Sequence, residues 1–563
     1  MRGHRTLLVV LLVAAALPYF VNLGATSIID ANEAFYAETP REMIESGNYI
    51  SPTFNYEPRL NKPPLSYWVV AASYKVFGVS LFAARLPIAI GAMVLLAAAF
   101  LLGRLTFSTD AGLIAALTLA ATPRMLLFSR RIIIDLYTAM FVGLALLCFA
   151  FAESRPAQRR RWLLAMYAST ALGVLTKGPV AVAIPAMVFG VYLVASGRLR
   201  TIRTLMLPTG IVVVAAIVIP YYAALCLQQG WDAVSTFLLR ENLARYADGV
   251  GAPDRGPLFY LPVVFADLYF PWSLLLPAAF ALVPWKTVLA GRGWSRVWGG
   301  PGTGEAVPAE RLRLLLGLWI VVIVVFFSMS KGQQDLYVLP FVVAGAPLVG
   351  GLVDGWTRGA WSRRLARVTT ASAAVLAGIT AGLGLAAAWF VGGQDGHLFI
   401  EGALAIGVVL AAGGVAGLSR LARGGRFAAL AVMAAAFIVG LWMLVLWSFP
   451  DFERFKPVPH LARAVEAAGQ PRAAVATYKV AVPSLVFYLR RHVSELVDED
   501  QLSAFLGDHP GGFCVMRDEE YDAVSARLPA ATRVIARARR LDARLSDFLR
   551  KSRVPELVLI APE

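Results

Sequence analysis

Apolar runs of about twenty residues, separated by short polar connections, recur along the first four-fifths of the chain. A helix needs about 20 such residues to cross the hydrocarbon core of a bilayer. The runs predict 13 membrane-spanning helices, at about 6–23, 81–103, 110–128, 132–152, 162–177, 179–196, 205–227, 271–290, 312–329, 337–353, 367–391, 398–418 and 427–447. The run 162–177 is short, and Thr176-Lys177-Gly178-Pro179 reads as a tight turn between two spans. Pro63 to Phe77 is only moderately apolar and carries Lys75. It is expected to lie along the membrane surface, with Tyr67, Trp68 and Tyr74 at headgroup level. Glu33 to Ser46 has the pattern of a second short amphipathic helix, ended by Gly47-Asn48. The first apolar run follows Arg2 and Arg5 and continues past Ala14-Ala15-Ala16, so it is read as an uncleaved helix.

From about Asp451 the pattern becomes that of a soluble unit. Ala473–Val480, Val493–Val497, Gly512–Met516, Thr532–Ala536 and Glu556–Ile560 are predicted strands. They alternate with the helical stretches Pro483–Arg491, Glu499–Leu506 and Asp518–Leu528. The expected architecture is an α-helical polytopic membrane domain, 1–449, followed by a small α/β domain, 450–563. Two long loops, 24–80 and 228–270, belong to the membrane domain. The C-terminal unit has no glycine-rich phosphate loop and no triad-like cluster, which leaves it a capping or acceptor-docking role.

Charge fixes the threading. Only 16% of residues are charged, against about 25% in soluble domains, and the mean hydropathy is +0.65. The net charge of +16 comes from arginines that sit between apolar runs. They collect in every second connection: Arg104, then Arg155/Arg159/Arg160/Arg161, Arg198/Arg200/Arg203, Lys286/Arg292/Arg296, Arg358/Arg363/Arg364/Arg367 and Arg420/Arg423/Arg426. Basic connections stay in the cytoplasm. The N-terminus is therefore expected inside and, after an odd number of spans, the C-terminal domain outside. Topology and anionic membrane lipids account for the basicity, and nucleic acid is not an expected partner. Cys148, Cys226 and Cys514 have no paired or metal-ligand spacing.

The connections on the other face carry the unusual polar residues. Asp30 and Glu33 stand where the first span meets water, on a segment that also holds Asn32, Tyr36 and Arg41. Two carboxylates there can deprotonate a nucleophile or hold a divalent cation, or else cap a helix. Lys62 is stiffened by Pro63-Pro64 near headgroup depth, where an ammonium suits a lipid phosphate or simply snorkels. Arg130-Arg131 with Asp135, Lys177, the pair Glu241 and Arg245 four apart, and Lys331 add cations and acids. Several fixed cations on one membrane face point to a phosphate-handling site.

The ordered motifs resemble a family. Asn-Glu-Ala-x-Tyr-Ala-Glu-x-x-Arg-Glu-Met, Lys-Pro-Pro-Leu-x-Tyr-Trp, Thr-Lys-Gly-Pro, Glu-x-x-x-Arg-Tyr and Ser-Lys-Gly look like those of bacterial membrane glycosyltransferases related to aminoarabinose transferase. These in turn resemble the protein O-mannosyltransferases, all of the GT-C fold. The resemblance covers residues 1 to about 350. It implies a multi-pass enzyme of the bacterial inner membrane with a periplasmic C-terminal domain. Such an enzyme transfers a hexosyl or pentosyl group from a polyprenyl-phosphate donor to a lipid, protein or glycan acceptor, by inverting displacement. It implies that Lys62, with one or more of Arg131, Lys177, Arg245 and Lys331, binds the donor phosphate and that Tyr337 contacts phosphate or sugar. Glu33 matches the glutamate of the family's Asp-Glu pair; the aspartate is Asn32 here, so Asp30 is the expected second carboxylate. Asn61, Asn242 and Tyr246 also depart from the family pattern, so the motifs name neither sugar nor acceptor. The rival reading is a transporter or flippase of lipid-linked sugars, which would place its binding groups at mid-membrane in repeated halves. No repeat shows, and span centres carry almost no ionisable residues.

Overall fold

The computed structural model describes residues 2–28, 32–249, 253–286, 306–392, 401–468, 473–528, 531–540 and 555–563. Eight of its helices are long and apolar enough to cross a membrane, or up to ten if each of two bent pairs counts as one span. Two shorter apolar helices, Gly3–Tyr19 and Val180–Ala195, accompany them. The chain is a multi-pass membrane protein.

From the N-terminus the helices are α1 (Arg2–Ala16), α2 (Asn32–Ser46), α3 (Leu65–Phe77), α4 (Leu81–Thr106), α5 (Thr109–Ala120), α6 (Pro123–Ser129), α7 (Ile134–Ser154), α8 (Arg159–Lys177), α9 (Val180–Ala195) and α10 (Leu207–Gln229). The segment Asp335–Thr357 and α7 lie at the centre, with 89% and 78% of their apolar stretches buried. α10, at 17%, is peripheral and presents its apolar side chains outward, as a helix bathed in lipid does. Small residues let the central helices approach: a Cβ on Gly103 would stand 2.9 Å from the Gly112 Cα, and one on Gly350 2.2 Å from the Ala111 oxygen.

Two expected spans are not straight. The run predicted at 110–128 bends by 69° between α5 and α6. Pro123 has no N–H to donate and starts a new helix instead. The run predicted at 271–290 begins earlier, as Tyr260–Leu268, and turns by 116° into Trp272–Leu282. Phe270-Pro271 lies at that break. Its far end, with Arg292 and Arg296, lies outside the described residues. The loop expected at 228–270 is thus largely helical.

The first long connection is a built layer. α2 and α3 flank a small hairpin, β1 (Thr53–Phe54) and β2 (Glu57–Pro58). Tyr67 and Tyr74, expected at headgroup level, are both buried within the protein. The Tyr74 hydroxyl donates to the Ala37 oxygen at 3.0 Å, and the Tyr67 ring stacks on Tyr36 at 5.4 Å. Trp68, half-buried, donates its indole N–H to the Tyr49 oxygen at 2.7 Å. The aromatic face is covered because α2, and with it Phe487 and Tyr488 of the C-terminal unit, packs over it.

That unit is a five-stranded sheet in the order β4-β3-β5-β7-β6, with β3 Val475–Tyr478, β4 Ser494–Leu496, β5 Phe513–Arg517, β6 Thr532–Arg539 and β7 Glu556–Pro562. β3 runs parallel to β4 and β5, and β7 antiparallel to β5 and β6. All five strands fall on the predicted stretches. Side chains such as Val475, Phe513 and Leu559 form one apolar core of the unit, and Tyr478, Met516 and Ile560 another.

Candidate active site

A cavity of about 820 Å3 opens at the end of the bundle that carries residues 32–80. Its walls come from α2, the turn before α3, the start of α7, the α8–α9 turn, residues 238–246 and residues 326–340.

Each charged side chain there is placed by local backbone chemistry. Lys62 precedes Pro63-Pro64, whose rings set the approach to α3 at Leu65. Its ammonium lies 3.3 Å from Glu241 Oε2. Burial, reinforced by Arg245 and Lys177 nearby, pushes Lys62 down to about 8. Glu241 Oε2 also accepts from Arg245 Nη2 at 3.0 Å, so one carboxylate serves two cations. Glu241 lies on a π-helical stretch, Thr236–Ala244, continued by Arg245–Asp248. Such turns are frequent at functional sites.

Two glycine turns dock that stretch. Gly178, at φ +99°, ends α8; a Cβ there would come 2.9 Å from the Asn242 Oδ1. Gly332 lies so close to the Arg245 backbone oxygen that a Cβ would stand 2.4 Å away. Lys331 N–H donates to the Tyr246 oxygen at 3.1 Å, and Ser330 Oγ to the same oxygen at 3.3 Å. Lys177, in the last turn of α8, pairs with Asp135 in the first turn of α7 and lies 4.4 Å from the Tyr337 ring centre.

Arg131 lines the cavity half-buried, without a hydrogen-bond or ion-pair partner among the described residues. Burial holds its pKa below the ordinary value. Its neighbour Arg130 has a different task. Its guanidinium donates to the backbone oxygens of Pro18 (2.6 Å), Val21 (2.7 Å) and Asn22 (2.8 Å), tying off the first helix.

Glu33 lines the cavity, buried, and its Oε1 accepts from Arg85 Nε at 2.8 Å. Asn32 and Tyr36 line the same wall, and burial raises the Tyr36 hydroxyl well above its usual value. Thus Glu33, Asn32, Tyr36, Lys62, Arg131, Asp135, Lys177, Glu241, Arg245 and Tyr337 are brought together.

Two expected residues are not. Arg41 is spent within its own helix, on Glu38 at 2.6 Å and Glu45 at 2.7 Å, because α2 turns it away from the cavity. Lys331 contributes its backbone to the docking turn, while its side chain is exposed and outside the cavity lining. Asp30 lies outside the described residues. Among the described residues no three His, Cys, Asp or Glu side chains converge on a metal position. The guanidinium on Glu33 also puts positive charge where a cation would sit, so the described donors do not fit a divalent ion.

Sequence reasoning missed Arg85 and Asp335. Arg85 is hidden at the start of an apolar run, although an ionised residue inside a predicted span is itself a signal. Asp335 lines the cavity and is held by Arg124 at 2.7 Å. Each of the four lining carboxylates, Glu33, Asp135, Glu241 and Asp335, is therefore engaged by a cation. Much of the remaining wall is apolar, with Ile133, Val180, Ile184, Phe326 and Phe327 among its members.

Residues 61–223 match the family model described as dolichyl-phosphate-mannose-protein mannosyltransferase. An undecaprenyl phosphate-alpha-4-amino-4-deoxy-L-arabinose arabinosyl transferase of Pseudomonas savastanoi pv. phaseolicola is 30% identical over 354 residues, 62% of each chain. A namesake from Pseudomonas fluorescens is 26% identical over 62% of this chain and 57% of its own. The chain thus matches about three-fifths of the length of these relatives. Among solved structures, ArnT from Cupriavidus metallidurans superposes with a TM-score of 0.76 in the apo state, at 22% identity over 98% of this chain and 97% of that one. The same protein bound to undecaprenyl phosphate gives 0.75 at 23% identity. The chain has the GT-C fold of ArnT and is related in sequence to the aminoarabinose transferases.

Proposed function

We propose that the protein is a membrane glycosyltransferase that takes a sugar from a polyprenyl-phosphate donor and passes it to a lipid, protein or glycan acceptor. The observation that carries this reading is the convergence of Lys62, Arg131, Lys177 and Arg245, from four separate connections, on one cavity with an apolar wall. Fixed cations suit a phosphate and the apolar wall suits the first isoprene units. The related structure was solved with undecaprenyl phosphate bound, which supports the same donor class.

The charge alternation of the connections puts this end of the bundle outside the cytoplasm, with the N-terminus within and the C-terminal unit periplasmic. No nucleotide-sugar pool exists there, and a lipid-linked donor supplies the activated sugar.

The chemistry assigned to the residues follows. An acceptor hydroxyl attacks the anomeric carbon from the face opposite the phosphate. The carbon–oxygen bond to phosphate breaks, and the bonding pair leaves with the polyprenyl phosphate. Lys62, Arg131, Lys177 and Arg245 stabilise the charge that grows on the leaving oxygen, which needs no proton. The acceptor proton goes to a carboxylate, assigned to Glu33 or Asp30.

The test is transfer of radiolabelled sugar from a panel of polyprenyl-phosphate sugars by the purified full chain. Arg131→Ala is expected to lower kcat/KM by about 10²-fold, and Glu33→Gln to abolish turnover while donor binding persists. Saturable donor binding without transfer from any donor would overturn the reading.

A further inference from the structure

Directly before α2, the chain from Leu23 to Ile28 is held on two sides. On one side stands Arg85, 1% exposed. Its Nη1 donates to the oxygens of Leu23 (3.1 Å) and Thr26 (2.7 Å) and to the Thr26 hydroxyl (2.8 Å), and its Nη2 donates to the Ser27 oxygen (3.1 Å). Its Nε takes Glu33 at 2.8 Å. The same guanidinium therefore reads the backbone of this connector and aims a carboxylate of the cavity.

The other side belongs to the C-terminal part of the chain. Glu453 Oε2 accepts from Ser27 N–H at 3.1 Å and from Ser27 Oγ at 2.6 Å. The Tyr488 hydroxyl accepts from Ile28 N–H at 2.9 Å. Ser27 and Ile28 are both buried, so these donors would otherwise stand unsatisfied in an apolar setting. The cations Lys62, Lys177 and Arg245, to which the donor phosphate is assigned, are held by Glu241 and Asp135 on other elements.

We propose that Glu453 and Tyr488, acting with Arg85 through the connector 23–28, are positioning residues that set the Glu33 carboxylate for transfer. The C-terminal unit is then part of the catalytic apparatus rather than an appended docking module. This rests on the transferase reading above. Displacing a reacting group by about 1 Å can cost about 10²-fold in rate. Loosening the connector therefore lowers kcat and leaves donor affinity alone, a split that loss of a phosphate-binding cation does not produce.

The experiment uses the full-length chain in detergent with Tyr488→Phe, Glu453→Ala, Glu453→Gln and, as control, Asn55→Ala. Asn55 joins the same two parts of the chain through a reciprocal pair of hydrogen bonds to Val493, at 2.8 and 2.9 Å, away from the connector. Expected are a fall in kcat of about tenfold or more for Tyr488→Phe and Glu453→Ala with unchanged donor KM, recovery of most of it in Glu453→Gln, and wild-type kcat in Asn55→Ala. Amide hydrogen exchange over residues 23–36 is read on the same samples and should quicken in the first two variants only. Unchanged exchange, or faster exchange with wild-type kcat, overturns the proposal. So does an equal kcat loss in Asn55→Ala, which would mark a general effect of domain contact. No transfer by the wild type would instead bring down the transferase reading, and the catalytic role of the connector with it.

Discussion

Two acid–arginine clusters in this protein have similar composition and opposite construction. One is Glu153 at the end of α7. Its carboxylate is fully buried, accepting from Arg159 Nη1 at 2.7 Å and from Arg198, whose side chain is 3% exposed. The other is Glu241 with Lys62 and Arg245, whose side chains keep 17–22% of their exposure along a cavity wall. The first is packed shut, while the second borders a space large enough for a ligand headgroup and has Arg131, without a partner among the described residues, lining the same space. Arginines and carboxylates on a membrane protein therefore do not mark a site by themselves. What distinguishes the Glu241 cluster is that its ion pairs border an accessible cavity.

Removing the acid should separate the two most sharply. Glu153→Ala strands two arginines in a buried setting and is expected to cost about 3–5 kcal/mol of stability, visible as a large fall in the thermal unfolding midpoint in detergent. Glu241→Ala, beside open space, should leave that midpoint within a few degrees. A similar fall in both would erase the distinction.

A middle-sized effect should appear in the pH dependence of donor binding. Lys62 sits at about 8 in the free protein, lowered chiefly by burial. A bound phosphodiester favours the charged ammonium and raises that value. Affinity should thus be flat below pH 8. Above it, affinity should fall by up to about tenfold per pH unit, because the free protein must take up a proton to bind. Lys62→Arg, charged throughout, should bind with a flat profile across pH 7 to 10. A sloped profile in that variant would place the titration elsewhere. The smallest change is expected from Lys331→Ala. Its side chain is exposed beside the cavity without lining it, and kcat/KM in the same transfer assay should move less than about twofold.

Most of the architecture was legible because its signals are local. Short strand-like stretches between helical ones located all five strands of the C-terminal sheet, and apolar length located the helices. Bends were not legible: Pro123 and Pro271 look the same in sequence as Pro87 or Pro185, which continue their helices. Most of the charged cavity residues were found because a charge on the sparsely basic face invites a reason. Arg41 and Lys331 fall outside the cavity lining because rotation about a helix or turn axis decides where a side chain points, and spacing alone does not report it. Arg85 and Asp335 escaped because their meaning lies in contacts across many residues of sequence, with Glu33 and the 23–28 backbone and with Arg124. The burial of Tyr67 and Tyr74 was not legible for a related reason, since a second layer of protein, invisible in the local pattern, covers them.

The shared carboxylate of Glu241 has a consequence for how the cavity handles an incoming anion. Lys62 and Arg245 do not wait as bare charges; the resting protein already supplies them with an internal counter-ion. On the proposed reading, a phosphate arriving there replaces one anion by another, and the displaced glutamate becomes the group that must find new company. Ligand capture is then an exchange of partners around Glu241, and between turnovers that carboxylate offsets part of the positive charge beside the lipid.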